Sequence, residues 1–242
     1  MNEVHANFRY EIKFRLQKSQ EKFLYQWLYS DTRFVTQFPD RVNNSIYFDS
    51  SNFKYLFENI SGIARRKKIR YRWYSDEIRT NLLSVLNVAF DKESKLNLEE
   101  KSKKGLLSSK KVISTYRLEQ RPDNNFSNCI EHISNFANRS LLEDNKYQNT
   151  PALNPTLFVQ YKRKYFATQS GIRLTVDDDV SYSLISKYSN MSNANRDHLT
   201  IEIKFNPKHY DNVVNLLRNS DLRWVRSSKY LFGLSKILGF QY

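Results

Sequence analysis

The sequence has 242 residues and 14 % Phe, Tyr and Trp, which is enough apolar material for a folded core and excludes a disordered tail. Lys and Arg outnumber Asp and Glu by 39 to 25, a net charge of +14. This excess indicates a polyanionic partner (nucleic acid, an anionic membrane surface or a phosphate-rich substrate) or a basic surface kept for solubility. No apolar run approaches the ~20 residues needed to cross a bilayer, so any membrane contact would be peripheral or through a partner.

The cysteine content and the domain layout are simple. Cys129 is the single cysteine, so neither an intramolecular disulfide nor a multi-cysteine zinc site can form. Because the residues after Met1 also show no basic-then-apolar signal pattern, we expect a reduced, cytoplasmic compartment. The chain has no internal repeat and no linker rich in Gly, Ser or Pro, so we expect one domain over residues 1–242.

The predicted elements combine helices with strands of unusual polarity. Five segments alternate charged and apolar residues with the period of two that is typical of strands, and the third of them is a blurred version. In chain order these segments are 9–16, 68–73, 98–101, 173–177 and 200–205. Amphipathic periodicity predicts helices over 20–29, 52–60, 126–136, 210–218 and 227–238, an ambiguous helix or insertion over 76–90, and a mobile loop over 187–195.

The charged faces of these strands predict how the sheet closes. They repeat Glu-x-Lys three times and Lys-x-Arg-x-Arg once, and cations at that density repel one another unless anions lie between them. A closed barrel with a charged interior, its apolar exterior covered by helices, satisfies this pattern and leaves no exposed strand edge. An open sheet with a wet basic face is the alternative.

A tunnel lined with Arg, Lys and Glu suits phosphate chemistry. Arg and Lys neutralise phosphate oxygens, whereas carboxylates repel them and are instead typical ligands of Mg²⁺ or Mn²⁺. Phosphoryl transfer needs little beyond positioning, charge neutralisation and an in-line nucleophile. The residues therefore favour a phosphoryl-transfer site.

Eight short motifs, in chain order, carry a resemblance to a known family over roughly residues 8–235. The sequence resembles the catalytic domain of the vacuolar transporter chaperone (VTC) family, a polyphosphate polymerase branch of the CYTH-like triphosphate tunnel metalloenzymes. The motifs are Arg9-x-Glu11-x-Lys13, Tyr47-Phe48-Asp49, Lys68-x-Arg70-x-Arg72-Trp73-Tyr74, Leu98-Glu99-Glu100-Lys101, Tyr161-x-Arg163-x-x-Phe166, Arg173-Leu174-Thr175-Val176-Asp177, Ile201-Glu202-Ile203-Lys204 and Ser228-Lys229-Tyr230.

The resemblance implies an α+β fold, a closed antiparallel eight-stranded β-barrel with helices packed outside. It also implies Mn²⁺- or Mg²⁺-dependent transfer of a nucleoside triphosphate γ-phosphate onto inorganic polyphosphate. The implied catalytic positions are Lys13, Arg70, Arg72, Lys101, Arg163, Arg173 and Lys229. The implied chain-binding positions are Arg9, Lys68, Lys204, Lys110 and Lys111, and the implied metal ligands are Glu202, Glu99 and Glu11. Arg9 departs from the wider superfamily, which has Glu there; the added cation favours a longer anionic chain.

Two other functions stay open at this point. A triphosphatase on the same fold would use water as the nucleophile, oriented by Glu11 or Glu99, and would act on inorganic triphosphate, a nucleotide or RNA 5′ ends. A non-catalytic polyanion-binding module would need no metal. Nucleic acid is disfavoured as a partner because aromatics such as Tyr71 and Trp73 fall on the apolar strand faces, away from the cations. Asp49, at a strand end, is expected to pair with a basic residue more readily than with a metal.

Overall fold

The computed structural model describes residues 9–30, 33–118, 125–185, 193–195, 197–218, 220 and 222–241. In that part of the chain the strands are β1 Arg9–Gln17, β2 Val35–Asp49, β3 Arg65–Ser75, β4 Lys95–Lys104, β5 Leu107–Arg117, β6 Asn154–Ala167, β7 Arg173–Leu184, β8 Asn193–Asn195 and β9 His198–Phe205. The α-helices are α1 Glu21–Ser30, α2 Lys54–Ile60, α3 Leu82–Asp91, α4 Phe126–Glu143, α5 Tyr210–Leu217 and α6 Lys229–Leu238.

Eight of the strands close into an antiparallel ring. The hydrogen-bonded order is β6-β2-β3-β4-β5-β1-β9-β7, and β7 pairs with β6 to complete the circle. This confirms the predicted closed eight-stranded sheet. The short strand β8 adds to β7, so the loop predicted over 187–195 is wrong at 193–195, while residues 187–192 lie outside the described part of the chain.

The shortest pairing between neighbouring strands of the ring is the one between β1 and β5, which has two residue pairs, at Arg9 and Tyr10. Farther along β1, one edge of the strand pairs with β9 as far as Gln17. The segment 224–227 lies along the other edge: Trp224 bridges Phe14, and the Val225 amide donates to the Lys13 carbonyl at 2.9 Å. This segment therefore extends the wall of the ring where β5 diverges from β1.

Helices cover the apolar outer face of the ring, as predicted. On one side α3 and α4 pack over Ile69, Tyr71 and Trp73 of β3; on the other, α1 and α5 pack over outward residues of β1, β7 and β9. The ambiguous segment 76–90 contains α3, whose first turn is capped by the Asn81 side chain accepting from the Leu83 amide at 2.8 Å. The fully buried Cys129 is part of the core under α4.

The last helix, α6, packs against residues of the inner face. Tyr47, on the inner face of β2, lies opposite Leu157 of β6, and both contact α6 together with Val159 and Tyr161. The Tyr47 and Tyr230 rings stack with centroids 5.2 Å apart. Side chains of like parity on a strand share one face, so α6 lines the interior and its first residue, Lys229, points toward the centre of the ring.

Gly233→Ala is expected to destabilise the fold although alanine is the better helix former. A Cβ at position 233 would lie 2.4 Å from Tyr182 Cδ1 and 2.8 Å from Leu157 Cδ2, so α6 would have to move away from the inner wall. Overpacking of this kind costs about 1–3 kcal/mol. Chemical denaturation measures it, with the exposed Lys236→Ala on the same helix as control; an unchanged or more stable Gly233→Ala protein would show that α6 is not held tightly there.

Among the residues that the structure describes, Asp49 pairs with no basic residue, so that expectation is wrong. Its Oδ1 and Oδ2 accept from the amides of Tyr55 and Leu56, each at 2.9 Å, and Oδ2 also accepts from the Tyr230 hydroxyl at 2.6 Å. The carboxylate satisfies donors at the start of α2, where Phe53 has a left-handed φ of 54°. Asp49 thereby ties α2 to α6.

None of the helices within the described residues is long and apolar enough to span a membrane.

Candidate functional site

A small cavity of about 60 Å³ lies at the centre of the ring. Strand alternation builds its basic wall: Lys68, Arg70 and Arg72 share the inner face of β3, whereas the intervening Ile69 and Tyr71 face the outer helices. Other strands and the start of α6 supply the rest. The lining residues are Lys13, Tyr47, Lys68, Arg70, Arg72, Lys101, Tyr161, Arg163, Glu202, Lys204, Ser228 and Lys229.

The two arginines of β3 are held by neutral hydroxyls as well as by charge. Arg70 donates to Glu99 Oε2 through Nη2 at 2.8 Å and to the Tyr47 hydroxyl through Nη1 at 3.2 Å. Arg72 donates to the Tyr161 hydroxyl at 2.9 Å. Burial opposes the charge of Arg70, but Tyr47 and Glu99 outweigh it and raise its pKa further. Both guanidinium groups are thus positioned before any ligand arrives.

Glu202 lies between two lysines on neighbouring strands. Its carboxylate is 3.3 Å from Lys13 Nζ and 2.5 Å from Lys204 Nζ. Burial raises the pKa of Glu202, but Lys204, Lys13 and then Lys101 outweigh burial and hold it well below its ordinary value. Glu202 is therefore ionised at neutral pH.

Glu11 adjoins this pair on β1. It accepts from Lys101 Nζ at 2.7 Å and from the Ser108 hydroxyl at 3.1 Å, and it lies 3.5 Å from Lys13 Nζ. Burial and the nearby Glu202 raise the pKa of Glu11, yet the lysines, led by Lys101, bring it far below its usual range. Glu11 is consequently an anion with its oxygens already engaged.

Asp177, fully buried, bridges two cations on the opposite wall. It accepts from Arg163 Nε at 2.5 Å and Nη2 at 2.7 Å, and from Lys229 Nζ at 2.5 Å. Burial raises the pKa of Asp177, but Arg163 and Lys229 lower it further than burial raises it. Because Arg163 is on β6 and Lys229 begins α6, this carboxylate fixes the helix start against the ring.

Positive charge exceeds negative charge at the centre. Eight cations line the cavity, and the carboxylates that reach them are Glu202, Glu11, Glu99 and Asp177. Lys68 donates to the neutral Ser228 hydroxyl at 2.6 Å; burial and then Lys13 and Lys101 lower its pKa well below the ordinary value. Burial also lowers the pKa of Lys101 to about 7, against the effect of Glu11. An anionic ligand would relieve this excess.

The structure brings most of the predicted basic residues together. Six of the predicted catalytic positions line the central cavity, as do two of the predicted chain-binding positions: Lys13, Arg70, Arg72, Lys101, Arg163 and Lys229, with Lys68 and Lys204. The roles of these residues stay predictions, but all eight side chains line the same cavity.

The remaining basic residues lie away from that cavity. Lys110 reaches Glu99 at 3.0 Å from a half-exposed position. Its neighbour Lys111 faces outward and pairs with Asp144 at 2.5 Å, because adjacent strand residues point to opposite faces. Arg173 is exposed opposite Lys204, and Arg9 begins β1 outside the cavity lining. Because the Lys111 side chain points away from the tunnel, its position does not support a role in binding the phosphate chain.

The predicted metal ligands do not form one group. Glu99 is engaged by Arg70 and Lys110, apart from Glu11 and Glu202, and the described residues contain no cluster of three or more His, Cys, Asp or Glu suited to a metal. Glu11 and Glu202, both inner-face carboxylates that share Lys13, nevertheless fit a Mg²⁺ or Mn²⁺ that takes its other ligands from phosphate and water. Thr175 pairs with Glu202 in register, and its buried hydroxyl has no hydrogen-bond partner among the described residues.

Several site residues carried no signal in the sequence that assigned them a role. Tyr47, Tyr161 and Asp177 lie within the motifs quoted above. Their polar groups contact residues of other strands, however, and the sequence does not show which strands are neighbours. Ser228 has two functions: it caps α6 by accepting from the Leu231 amide, at 3.3 Å, and it accepts from Lys68. Thr175 is a neutral residue on a charged face, and alternation alone would have placed it inside.

The ring, its inward cations and its helix-covered exterior define a tunnel-fold protein whose interior suits a phosphate-rich anion. The family model described as the VTC domain matches residues 4–238, so the chain belongs to the VTC domain family. A search of curated proteins finds no match to the sequence.

Solved structures resemble the whole chain at low sequence identity. The PH1819 protein from Pyrococcus horikoshii OT3 superposes with a TM-score of 0.50 at 13 % identity, covering 94 % of this chain and 99 % of that one. The Hippeastrum protein HpAC1, described as a candidate adenylyl cyclase with a dominant triphosphatase activity, has a TM-score of 0.49 at 14 % identity and coverages of 94 % and 96 %. The Pyrococcus likeness supports the fold alone.

Proposed function

We propose that this protein is a metal-dependent polyphosphate polymerase that transfers the γ-phosphate of a nucleoside triphosphate, such as ATP, to a growing polyphosphate chain. The observation that carries the proposal is the convergence of eight Lys and Arg side chains on one cavity beside Glu202. Phosphoryl transfer is catalysed largely by positioning and by neutralising charge on the transferring group, and this wall supplies both.

The arginines, lysines and carboxylates of the cavity would have different roles in binding. Arg70, Arg72 and Arg163 present planar guanidinium groups that suit the oxygens of successive phosphates. Lys13, Lys68 and Lys101 line the same cavity and add flexible point charges. Glu202 and Glu11 would hold a Mn²⁺ or Mg²⁺, which, when bound, neutralises phosphate oxygens and favours the in-line displacement.

The engagement of the carboxylates favours an acceptor phosphate over water as the nucleophile. A water nucleophile benefits from a general base, and Glu11 and Glu99 were the candidates. Burial raises the pKa of Glu99, but Arg70 and the neighbouring cations bring it to about 2, and against burial and Glu202 the lysines hold the pKa of Glu11 far below its usual range. Carboxylates of such low pKa are poor bases at neutral pH. A terminal phosphate of polyphosphate is already anionic and needs none.

The products formed from ATP test the proposal. Purified protein with ATP and Mn²⁺, followed by ³¹P NMR, is expected to give the resonance of internal phosphates of a polymer, dependent on the metal. Release of orthophosphate or short phosphates alone would replace the polymerase with the triphosphatase. No turnover of any nucleotide or triphosphate, with polyphosphate still bound, would leave the non-catalytic binding module as the better account.

A further inference from the structure

Positive charge is concentrated at the end of the ring where β3 begins and β4 ends. There Arg65 pairs in register with Lys104, and Arg66 pairs with Lys103. Like charges directly opposite one another destabilise a sheet. In the part of the chain that the structure describes, none of these four side chains forms an ion pair with a carboxylate. Consecutive cation–cation pairs therefore indicate an anionic partner outside the chain.

This end of the ring surrounds an opening of about 600 Å³ that adjoins the central cavity. Three separate parts of the chain surround it, and we refer to them together as the rim: residues 57–66, 103–106 and 224–228. The Gly105 amide donates to the Ala64 carbonyl at 3.2 Å, so the first two parts are in direct contact. The rim is therefore one continuous surface at one end of the tunnel.

Large apolar side chains of the rim are exposed to solvent. Five of them are between 39 % and 58 % exposed: Phe57, Ile60, Ile63, Leu106 and Trp224. Phe57 and Ile60 are three residues apart on α2 and so lie on the same side of the helix. Ile60, Leu106 and Trp224 come from the three different parts of the rim, and all three border the opening. The apolar groups are thus distributed around the opening.

Cations lie among these apolar groups. The rim has five cations and one carboxylate, which are Arg65, Arg66, Lys103, Lys104 and Arg226, with Glu58. Burial and then Arg226 lower the pKa of Arg66, and burial lowers the pKa of Lys103 against the effect of Glu11. Anionic groups placed against the rim would relieve this repulsion.

A bilayer surface suits this arrangement better than a protein partner does. A protein interface has a continuous apolar core surrounded by a polar border. In the rim, cations separate the apolar side chains, and an opening lies in the middle. The interfacial region of an anionic bilayer accepts single apolar side chains among the headgroups and attracts Lys and Arg to its surface charge.

The other exposed aromatic surface lacks one of these two features. On α1, Phe23 and Tyr29 are 70 % and 67 % exposed. The charged residues of this helix are Glu21 and Lys22, one of each sign, so it has no excess of positive charge. The α1 surface therefore serves as the matched control for the rim.

We propose that the rim docks the protein on an anionic bilayer surface, with its apolar side chains among the lipid headgroups and its cations bound to lipid phosphates. This inference does not depend on the proposed function, because docking requires neither a nucleotide nor turnover. Docking would place this end of the tunnel against the membrane and leave the other end, where β2 begins at Val35, open to water.

Co-sedimentation with vesicles, without nucleotide or metal, tests the docking. The unmodified protein is expected to bind vesicles of phosphatidylcholine mixed with phosphatidylserine, to bind phosphatidylcholine alone weakly, and to dissociate as the salt concentration rises. The double variant Phe57→Ser, Ile63→Ser is expected to weaken binding to the anionic vesicles by at least about tenfold. The matched double variant on α1, Phe23→Ser, Tyr29→Ser, should bind as the unmodified protein does.

A second pair of variants tests the cations. Arg65→Gln with Lys104→Gln is expected to weaken binding to the anionic vesicles by about tenfold. Lys22→Gln with Lys208→Gln removes the same charge from exposed positions outside the rim and should have a much smaller effect. Binding of inorganic polyphosphate, measured separately, should be unchanged in all of these variants, because none of the substituted residues lines the central cavity.

The outcomes separate the docking from the activity. Equal weakening by the rim variants and their controls, or no binding of the unmodified protein to anionic vesicles, would overturn the docking even if the protein makes polyphosphate. Loss of vesicle binding confined to the rim variants, with polyphosphate binding retained, supports it whether or not the protein is a polymerase. Parallel loss of vesicle and polyphosphate binding would show that lipid phosphates compete for the tunnel, and would also overturn it.

Discussion

Glu202→Gln is expected to reduce metal-dependent turnover of ATP by at least about 100-fold while polyphosphate binding is kept or strengthened. The substitution preserves the size of the side chain but removes the negative charge that a divalent metal needs. It also removes the nearer of the two anions that Lys13 and Lys204 share, at 3.3 and 2.5 Å, and leaves only Glu11, at 3.5 and 3.9 Å. Both lysines would then carry more uncompensated charge and bind phosphate oxygens more strongly. Initial rates with ATP and Mn²⁺, together with equilibrium binding of polyphosphate, measure the two effects.

The control for this substitution is Glu77→Gln, because the Glu77 side chain is 75 % exposed and pairs with Arg79 at 3.5 Å. It should behave as the unmodified protein in both measurements. Retained binding in Glu202→Gln shows that the ring is still folded. Substantial turnover in Glu202→Gln would contradict the metal role of Glu202, and a parallel loss of binding would point to a structural role.

Asp177→Asn is expected to cost about 3–5 kcal/mol of the free energy of unfolding, the range for removing one partner of a buried ion pair. Asp177 is fully buried, and the substitution would leave Arg163 and Lys229 as uncompensated cations whose side chains are each 10 % exposed. Inorganic triphosphate should stabilise this variant more than the unmodified protein, because its charge replaces the lost carboxylate. Urea denaturation with and without triphosphate measures both.

The matched control is Asp76→Asn, whose side chain is 82 % exposed and pairs with Lys92 at 2.7 Å. Exposed ion pairs contribute little, so no measurable change is expected. An Asp177→Asn protein as stable as the control would contradict the buried bridge.

The difference in free energy of unfolding between the unmodified protein and Asp177→Asn should depend on pH, because the pKa of Asp177 is lowered in the folded state. A carboxyl whose pKa is lower in the folded state stabilises it fully above the unfolded value of about 3.9, and the contribution is lost as pH falls further. The stability advantage over Asp177→Asn should therefore be constant from about pH 5 to 8 and shrink below about pH 4. An advantage that grows on acidification would show that Asp177 is not held ionised by its partners.

Strand alternation made the inner wall predictable from the sequence. In β3 every second residue from Lys68 to Arg72 is a cation, and Ile69 and Tyr71 between them are fully buried on the outer face of the ring. The blurred segment at Leu98 is explained by two features: a register shift between Leu98 and Glu99, and an outward Glu100 that is paired with Lys146 and accepts from the Tyr147 hydroxyl.

The features that were not predicted depend on contacts between distant segments. No periodicity reveals that α6 packs on the inner face, because an amphipathic helix fits either side of a ring whose wall changes from charged to apolar along β2 and β6. The bridge from Asp177 to Arg163 and Lys229 joins three elements. For Lys110 and Lys111, alternation allows only one to face inward, and the register to β4 was needed to decide which.

A crystal structure with AMP-PNP and Mn²⁺ tests the central claim most directly, because the anomalous signal of manganese locates the metal independently. The expected result is a triphosphate in the central cavity against Arg70, Arg72 and Arg163, with manganese coordinated by Glu202 and phosphate oxygens. A triphosphate bound outside the ring, or manganese bound to carboxylates away from Glu202, would contradict the proposal that the tunnel is the site of phosphoryl transfer.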